Sequence, residues 1–279
     1  MHTILRALRA QPTLVAGVVA VAAAQSPGPN GTDTTALAPV VVTATRVPVA
    51  ATTATVTVLR GADLRARGVA RVADALREVP GVHVVQSGSF GGATSLFLRG
   101  GQSSYTKVLI DGVPANLPGG TFDWAFLTTD NIDRIEIVRG PASVLYGSDA
   151  VSGVVQIFTR RGGHGVTPSA SLRGGTYSTL DGDVGVSGGS TQLGFSLDAA
   201  SHASDGLLPE DNQFRNTVLS GALHARPDAG SEVGVSARYS DGMFHYPTNG
   251  AGAVVPFQRA RRGDRRLTAG IDADRKSVV

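Results

Sequence analysis

The chain has 279 residues, of which 36 are glycine and none cysteine, with 5% aromatic and 17% charged residues and a formal net charge of +3. The missing cysteines exclude a disulfide framework, a thiolate metal centre and a cysteine nucleophile. The small, dispersed charge argues against a nucleic-acid surface, and abundant glycine with few charges argues against a helical enzyme.

In chain order, Arg6 and Arg9 precede an apolar run from Leu14 to Ala23, and Ala22 and Ala24 form a small-x-small site before Gln25. A basic start, an apolar stretch of about ten residues and small residues at the cut predict a secretory signal peptide over 1–24. The run is shorter than the roughly 20 residues that a transmembrane helix needs, and no later stretch reaches that length. Any membrane crossing by the mature chain therefore falls to strands. Residues 25–45 read as a flexible tether rich in Pro, Gly, Thr and Ala. It carries one β-prone segment, Val40-Val41-Val42-Thr43-Ala44, suited to adding a strand to a partner's sheet edge.

Residues 46–162 show a mixed α/β pattern. Short strands are expected at 56–59, 82–85, 96–99, 107–110, 132–138 and 154–159, with Asp111-Gly112 as a turn signal. A single helical turn is expected from Asp63 to Arg67, ended by Gly68. Val72, Ala75, Leu76 and Val79 fall at i, i+3, i+4 and i+7, one apolar helical stripe that Pro80-Gly81 terminates.

From 163 to 279 the pattern becomes strand upon strand, at 169–175, 180–187, 192–201, 217–226, 232–241 and 265–272. Leu193, Phe195, Leu197 and Ala199 alternate with Ser196 and Asp198, the two-residue period of a membrane barrel strand or of a soluble sandwich strand. Tight connections at 188–190 and 227–230 interleave with long polar ones at 201–216 and 242–264, as when turns face the periplasm and loops face outward. Six strands do not close a barrel, so the expectation is the first six or so of about 22 strands. The Arg259, Arg261, Arg262, Arg265 and Arg266 cluster reads as a charged, solvated loop.

Six blocks in register resemble one family, the TonB-dependent outer-membrane receptors. They are Val40 to Ala44, entered through Pro39; Ala73-Asp74-Ala75-Leu76 through Val82; Leu98-Arg99-Gly100; Val108 to Pro114; Ile135 to Pro141; and Tyr146 to Ala150, followed by Gly153-Val154-Val155. The resemblance covers residues 39–162 and extends to the remainder in style. It implies an α+β plug domain followed by the first strands of an antiparallel transmembrane β-barrel, located in the cell outer membrane. The segment Val40, Val41, Val42, Thr43 and Ala44 is similar to the family's TonB box, which pairs with the inner-membrane energy-coupling protein TonB.

The resemblance also implies substrate contacts from outward plug loops. Ser89, Phe90, Asn116 and Leu117 are the expected ones, by similarity to the cobalamin-transporting branch. The cargo would then be a corrinoid, with a ferric siderophore as the alternative. Plug charges inside a barrel need partners, and Arg99, Glu136 and Arg139 are the expected latch. Asp205, Glu210, Asp211 and Asp241 are similar to loop carboxylates that hold calcium in cobalamin transporters. No catalytic set is expected. Gly185-Val186-Ser187-Gly188-Gly189 matches a nucleophile pattern but lies at a strand end rather than a strand-to-helix elbow. The rival of a different class is a soluble periplasmic binding or signalling module built on the plug alone.

Overall fold

The computed structural model describes residues 41–42, 47–48, 55–208, 210–228, 230–247, 253–254 and 260–275. The predicted signal peptide and most of the tether, with Val40, Thr43 and Ala44, lie outside the described residues. In the tether, β1 (Val41–Val42) pairs antiparallel with β2 (Val47–Pro48), which lies just past the tether's predicted end.

The α/β domain is built on a five-stranded sheet. Its strands are β3 (Thr55–Arg60), β6 (Thr106–Ile110), β7 (Val113–Pro114), β8 (Ile132–Arg139) and β9 (Gly153–Thr159), in the order β3-β8-β9-β6-β7. Only β6 and β9 run parallel. A separate hairpin joins β4 (Val82–Gln86) to β5 (Thr94–Leu98). The helices are α1 (Gly61–Ala66), α2 (Val72–Arg77) and α3 (Ser143–Tyr146). β9 is buried along its whole length, which explains why it reads as a continuous apolar run rather than an alternating one.

The stripe on α2 packs as its spacing predicts, with Val72, Ala75, Leu76 and Val79 all in the main core beside Leu64, Leu96, Ile135, Ile137 and Ile157. The helix itself stops at Arg77, two residues before the stripe does, because Pro80 disfavours helical geometry in the residue before it. Val79 reaches the core from the following turn. Gly61 opens α1 against the backbone of β8, where an added Cβ would sit 1.9 Å from the Ile132 carbonyl oxygen, so only glycine fits. Asp111 and Gly112 both have positive φ, 48° and 81°, and link β6 to β7 in the two-residue turn that an Asp-Gly pair favours.

The second part is one antiparallel meander. Its strands are β10 (Gly165–Gly175), β11 (Thr179–Gly189), β12 (Leu193–Ser204), β13 (Phe214–Asp228), β14 (Ser231–Tyr246) and β15 (Ala260–Arg275), paired in sequence order. All six exceed their predicted lengths, the last three by the most. Residues that read as polar loop, such as Phe214 to Asn216 and Gly242 to Tyr246, continue the ladder because each finds a partner on the next strand. Strands of 15 and 16 residues run past the 9–11 or so that span a bilayer core. The Gly185 to Gly189 segment lies in this ladder, with Ser187 paired to Thr167 and Ser196, so no nucleophile elbow forms there.

Burial along these strands is inverted relative to the α/β domain. On β12, Ser196, Asp198 and His202 are buried while Leu193 and Leu197 are exposed; on β13, Asn216, Ser220 and His224 are buried while Leu219 and Leu223 are exposed. A soluble sandwich would bury its leucines. Here the polar face packs against the α/β domain and the apolar face points away from it, the arrangement of a membrane barrel wall. No described helix is long and apolar enough to cross a membrane.

Candidate functional site

The seam between the α/β domain and the sheet holds the densest buried polar chemistry in the described residues. Before β8 enters the domain, the chain passes through Thr128-Thr129-Asp130-Asn131, all buried, and turns at Asn131 with φ of 55°. His202 on β12 stands between two carboxylates. Its Nε2 lies 2.8 Å from Asp130 Oδ2 of the domain, and its Nδ1 lies 3.0 Å from Asp181 Oδ1 of β11, its cross-strand neighbour. Both ring nitrogens can donate to these acceptors only in the imidazolium form. Burial opposes ionisation of Asp130, but the hydrogen bonds with His202 and Thr128 and the charges of His202 and Arg238 outweigh it and hold the carboxyl below its ordinary value.

Arg238 on β14 reaches the same segment from the other side. Its guanidinium donates to the Asp130 carbonyl at 2.9 Å, the Thr128 carbonyl at 3.2 Å and the Thr128 hydroxyl at 2.9 Å. Asn216 on β13 donates to the Phe126 carbonyl at 3.0 Å. Ser196 on β12 donates to the Arg160 carbonyl at 2.6 Å and accepts from Asn131 at 3.4 Å. Arg262 on β15 pairs with Asp123 and lies over the Phe126 ring. Asp198, also buried on this face, has neither carboxylate oxygen in a direct hydrogen bond among the described residues.

One end of the seam is aromatic. Phe126 stacks on Phe214, with ring centroids 5.7 Å apart, and Phe244 on Tyr246 at 5.8 Å; Phe90 packs against the cluster. Arg71 lies 4.3 Å from the centroid of Phe90, and Ser89 donates to Asn212 at 2.9 Å in the connection after β12. Two of the four residues predicted from the outward loops thus stand at one mouth, Ser89 and Phe90. Asn116 and Leu117 take no part in that cluster. The Asn116 amide instead closes its own loop through Val108 N, Thr106 O and Gly120 O, and Leu117 is exposed.

The charges expected to latch the domain are placed differently. Arg99 donates to Thr55, and Arg139 to Thr57 and the Pro80 carbonyl, all inside the α/β domain. The fully buried Glu136 accepts from Arg134 at 2.8 Å. The fastening to the sheet runs through Asp123, Thr128, Asp130 and Asn131, which sequence reasoning passed over. The available signal was the polar run before β8, matched by polar side chains on one face of each later strand. The residues expected to hold calcium do not fit a cage of roughly 6–8 oxygens. Asp211 pairs with His245 at 2.9 Å and Asp241 with Arg265 at 3.0 Å, and among the described residues no group of three or more acidic or histidine side chains is placed to bind a metal.

Residues 48–154 match the family model of the TonB-dependent receptor plug domain. The α/β domain is a TonB-dependent receptor plug. Solved structures similar to the chain extend the likeness across the seam. FpvA of P. aeruginosa bound to heterologous pyoverdines shares 17% identity at a TM-score of 0.68, over 85% of this chain and 34% of that one. The siderophore receptor PirA from Pseudomonas aeruginosa shares 26% at 0.54, over 68% and 34%. The ferric enterobactin receptor PfeA from the same organism, in a mutant form, shares 21% at 0.57, over 78% and 38%. The chain therefore spans little more than a third of the length of these structures. The plug and the six strands that follow correspond to the start of such a plugged barrel.

Proposed function

We propose that the protein is a TonB-energised outer-membrane receptor that imports a scarce, large nutrient, with a ferric siderophore as the cargo. The observation that carries this reading is the inverted sheet: polar strand faces hold the plug through Asp130, His202 and Arg238, while leucine and valine face outward. A plug fastened largely by hydrogen bonds, with apolar contact concentrated in the Phe126, Phe214 and Phe244 cluster, can be displaced while exposing little hydrophobic surface. Siderophore receptors among the similar structures favour that cargo over the corrinoid expected from the loop motifs, for which the comparisons offer no support. Energy reaches the plug through the Val40 to Ala44 strand, whose backbone pairs with TonB by strand addition. The exported protein is held in the outer membrane, and no step alters the cargo covalently.

The test is uptake of radiolabelled ferric enterobactin, ferric pyoverdine and cyanocobalamin by cells whose only such receptor is the full-length protein. We expect uptake of a ferric siderophore and none of cyanocobalamin. Val42→Pro, which removes a backbone donor, should abolish uptake at normal surface level. Uptake that survives this variant would refute the coupling role, and uptake of cyanocobalamin alone would refute the cargo.

A further inference from the structure

The two wall cations that grip the plug differ in what each would keep if the plug withdrew. His202 holds Asp130 of the plug on one side and Asp181 of β11 on the other, so the wall alone still supplies it one carboxylate. Arg238 has no such reserve in this conformation. It is buried, and its hydrogen-bond acceptors among the described residues are the Thr128 carbonyl and hydroxyl and the Asp130 carbonyl. All three are neutral and all belong to the plug. Withdrawal would strip this buried cation of every one of them at once.

Asp198 stands in the same cross-strand row. Ser169, Gly185, Asp198, Ser220 and Arg238 follow one another in register from β10 to β14. Asp198 and Ser220 are buried, and neither Asp198 oxygen nor the Ser220 hydroxyl makes a direct hydrogen bond among the described residues. Polar groups left unpaired in a buried row cost stability, so they call for a reason. The carboxylate now leans over Gly185, away from Arg238: a Cβ at Gly185 would sit 2.6 Å from Asp198 Oδ2. Two strand spacings of about 4.8 Å separate the backbones of Asp198 and Arg238, a gap of about 10 Å that an arginine and an aspartate reaching toward each other close. Around Asp198 stand Asp183 and Arg238 of the wall, with Arg65, Asp130 and Arg160 of the α/β domain. Arg65 donates to the Ile132 carbonyl at 2.9 Å and Arg160 to the Ser169 hydroxyl at 3.2 Å, so both are engaged elsewhere.

We infer that Asp198 is the acceptor to which Arg238 turns when the plug lets go. The wall then exchanges plug carbonyls for a carboxylate of its own and releases the plug without stranding a buried charge. The inference rests on the transport reading above and adds to it a device that stabilises the released state. Asp130 departs with the plug, which also removes a like charge from beside Asp198. The Ser220 hydroxyl lies between the two in the row and can accept from the guanidinium on the way. An interface with two discrete sets of partners switches rather than deforms. A carboxylate that merely balanced Arg238 in the resting seam would strengthen the plug's seat. An acceptor reserved for the released state weakens it, so the sign of one shift separates the two roles.

The experiment is urea titration of the full-length protein in native membranes, with protease cutting of the plug as the readout of release. Asp198→Asn and Asp198→Ser should each raise the urea midpoint by about 0.5 M or more, because the released state loses its acceptor. Either neutral variant suffices if the other fails to reach the membrane. Asp198→Glu, which keeps the carboxylate, should stay at the wild-type midpoint. In an Arg238→Gln background, Asp198→Asn should shift the midpoint no further, since its partner is already gone. A lowered or unchanged midpoint in the neutral variants, or a full shift without Arg238, would overturn the switch and leave the transport reading standing. A wild-type protein that is soluble without detergent would instead overturn the barrel reading on which the switch depends.

Discussion

The plug and the sheet beside it use one period of alternation to opposite ends. In the plug, Ile135, Ile137 and Ile157 turn inward onto Leu76 and Leu96, and stability comes from apolar area removed from water. In the sheet, Ser196, Asn216, Ser220 and Arg238 turn inward, and the leucines remain outside. The lesson is that alternation alone does not say which face is buried. What decides it is the medium on the far side, which in the proposed reading is lipid for the sheet.

That contrast can be broken most severely at His202. His202→Ala leaves Asp130 and Asp181 facing each other without the cation between them, a loss on the order of 3–5 kcal/mol at the seam. Protease digestion of the full-length protein in native membranes should then cut the plug, whereas the wild type resists. Leu76→Ala attacks the plug core instead and should cost about 2–5 kcal/mol. It should lower the plug's own unfolding midpoint while the Asp130 to His202 contact persists. If both substitutions gave the same digestion pattern, the two regions would not be fastened by different physics.

Acid provides a gentler probe. Asp130 is held below its ordinary value, so its contribution is complete above about pH 4 and fades as the pH falls through the lowered value in the folded protein. Protease sensitivity of the plug should rise in that acid range, and Asp130→Asn should flatten that part of the profile. The smallest effect is expected at Leu219, exposed on the outward face. Leu219→Ala should leave plug digestion unchanged, while Leu219→Arg should cost about 2–4 kcal/mol of barrel stability if the position lies near the bilayer midplane.

Much of this architecture was legible before any coordinates. The Val72, Ala75, Leu76, Val79 stripe, the Asp111-Gly112 turn and the alternation along β12 each follow from local chemistry that the fold leaves in place. The seam was less legible because its partners come from distant points of the chain. Asp130 and His202 are 72 residues apart, and Arg238 lies 108 beyond Asp130. Charges chosen for their place at strand ends, Arg99 and Arg139, found partners inside the plug, since Thr55, Thr57 and the Pro80 carbonyl are nearer than the wall. Asn116 looked like a ligand contact in a loose loop, but hydrogen bonds with the backbone of Thr106 and Val108 on β6 and of Gly120 in the loop occupy its amide. The β15 arginines were misplaced for a simpler reason. A run of five cations hides an alternation that only strand register reveals.

The inside-out sheet can be tested on neighbouring residues; these 279 residues hold no native cysteine, and any elsewhere in the full-length protein would be replaced by serine. Single cysteines at Leu219 and Ser220 of the full-length protein, spin-labelled and reconstituted in lipid, would report collision with oxygen, which concentrates in lipid, and with a water-soluble nickel complex. The label at position 219 should collide strongly with oxygen and weakly with nickel, and the label at 220 weakly with both, being packed against the plug. Strong nickel collision at 219, with 220 immersed in lipid or water, would contradict the account.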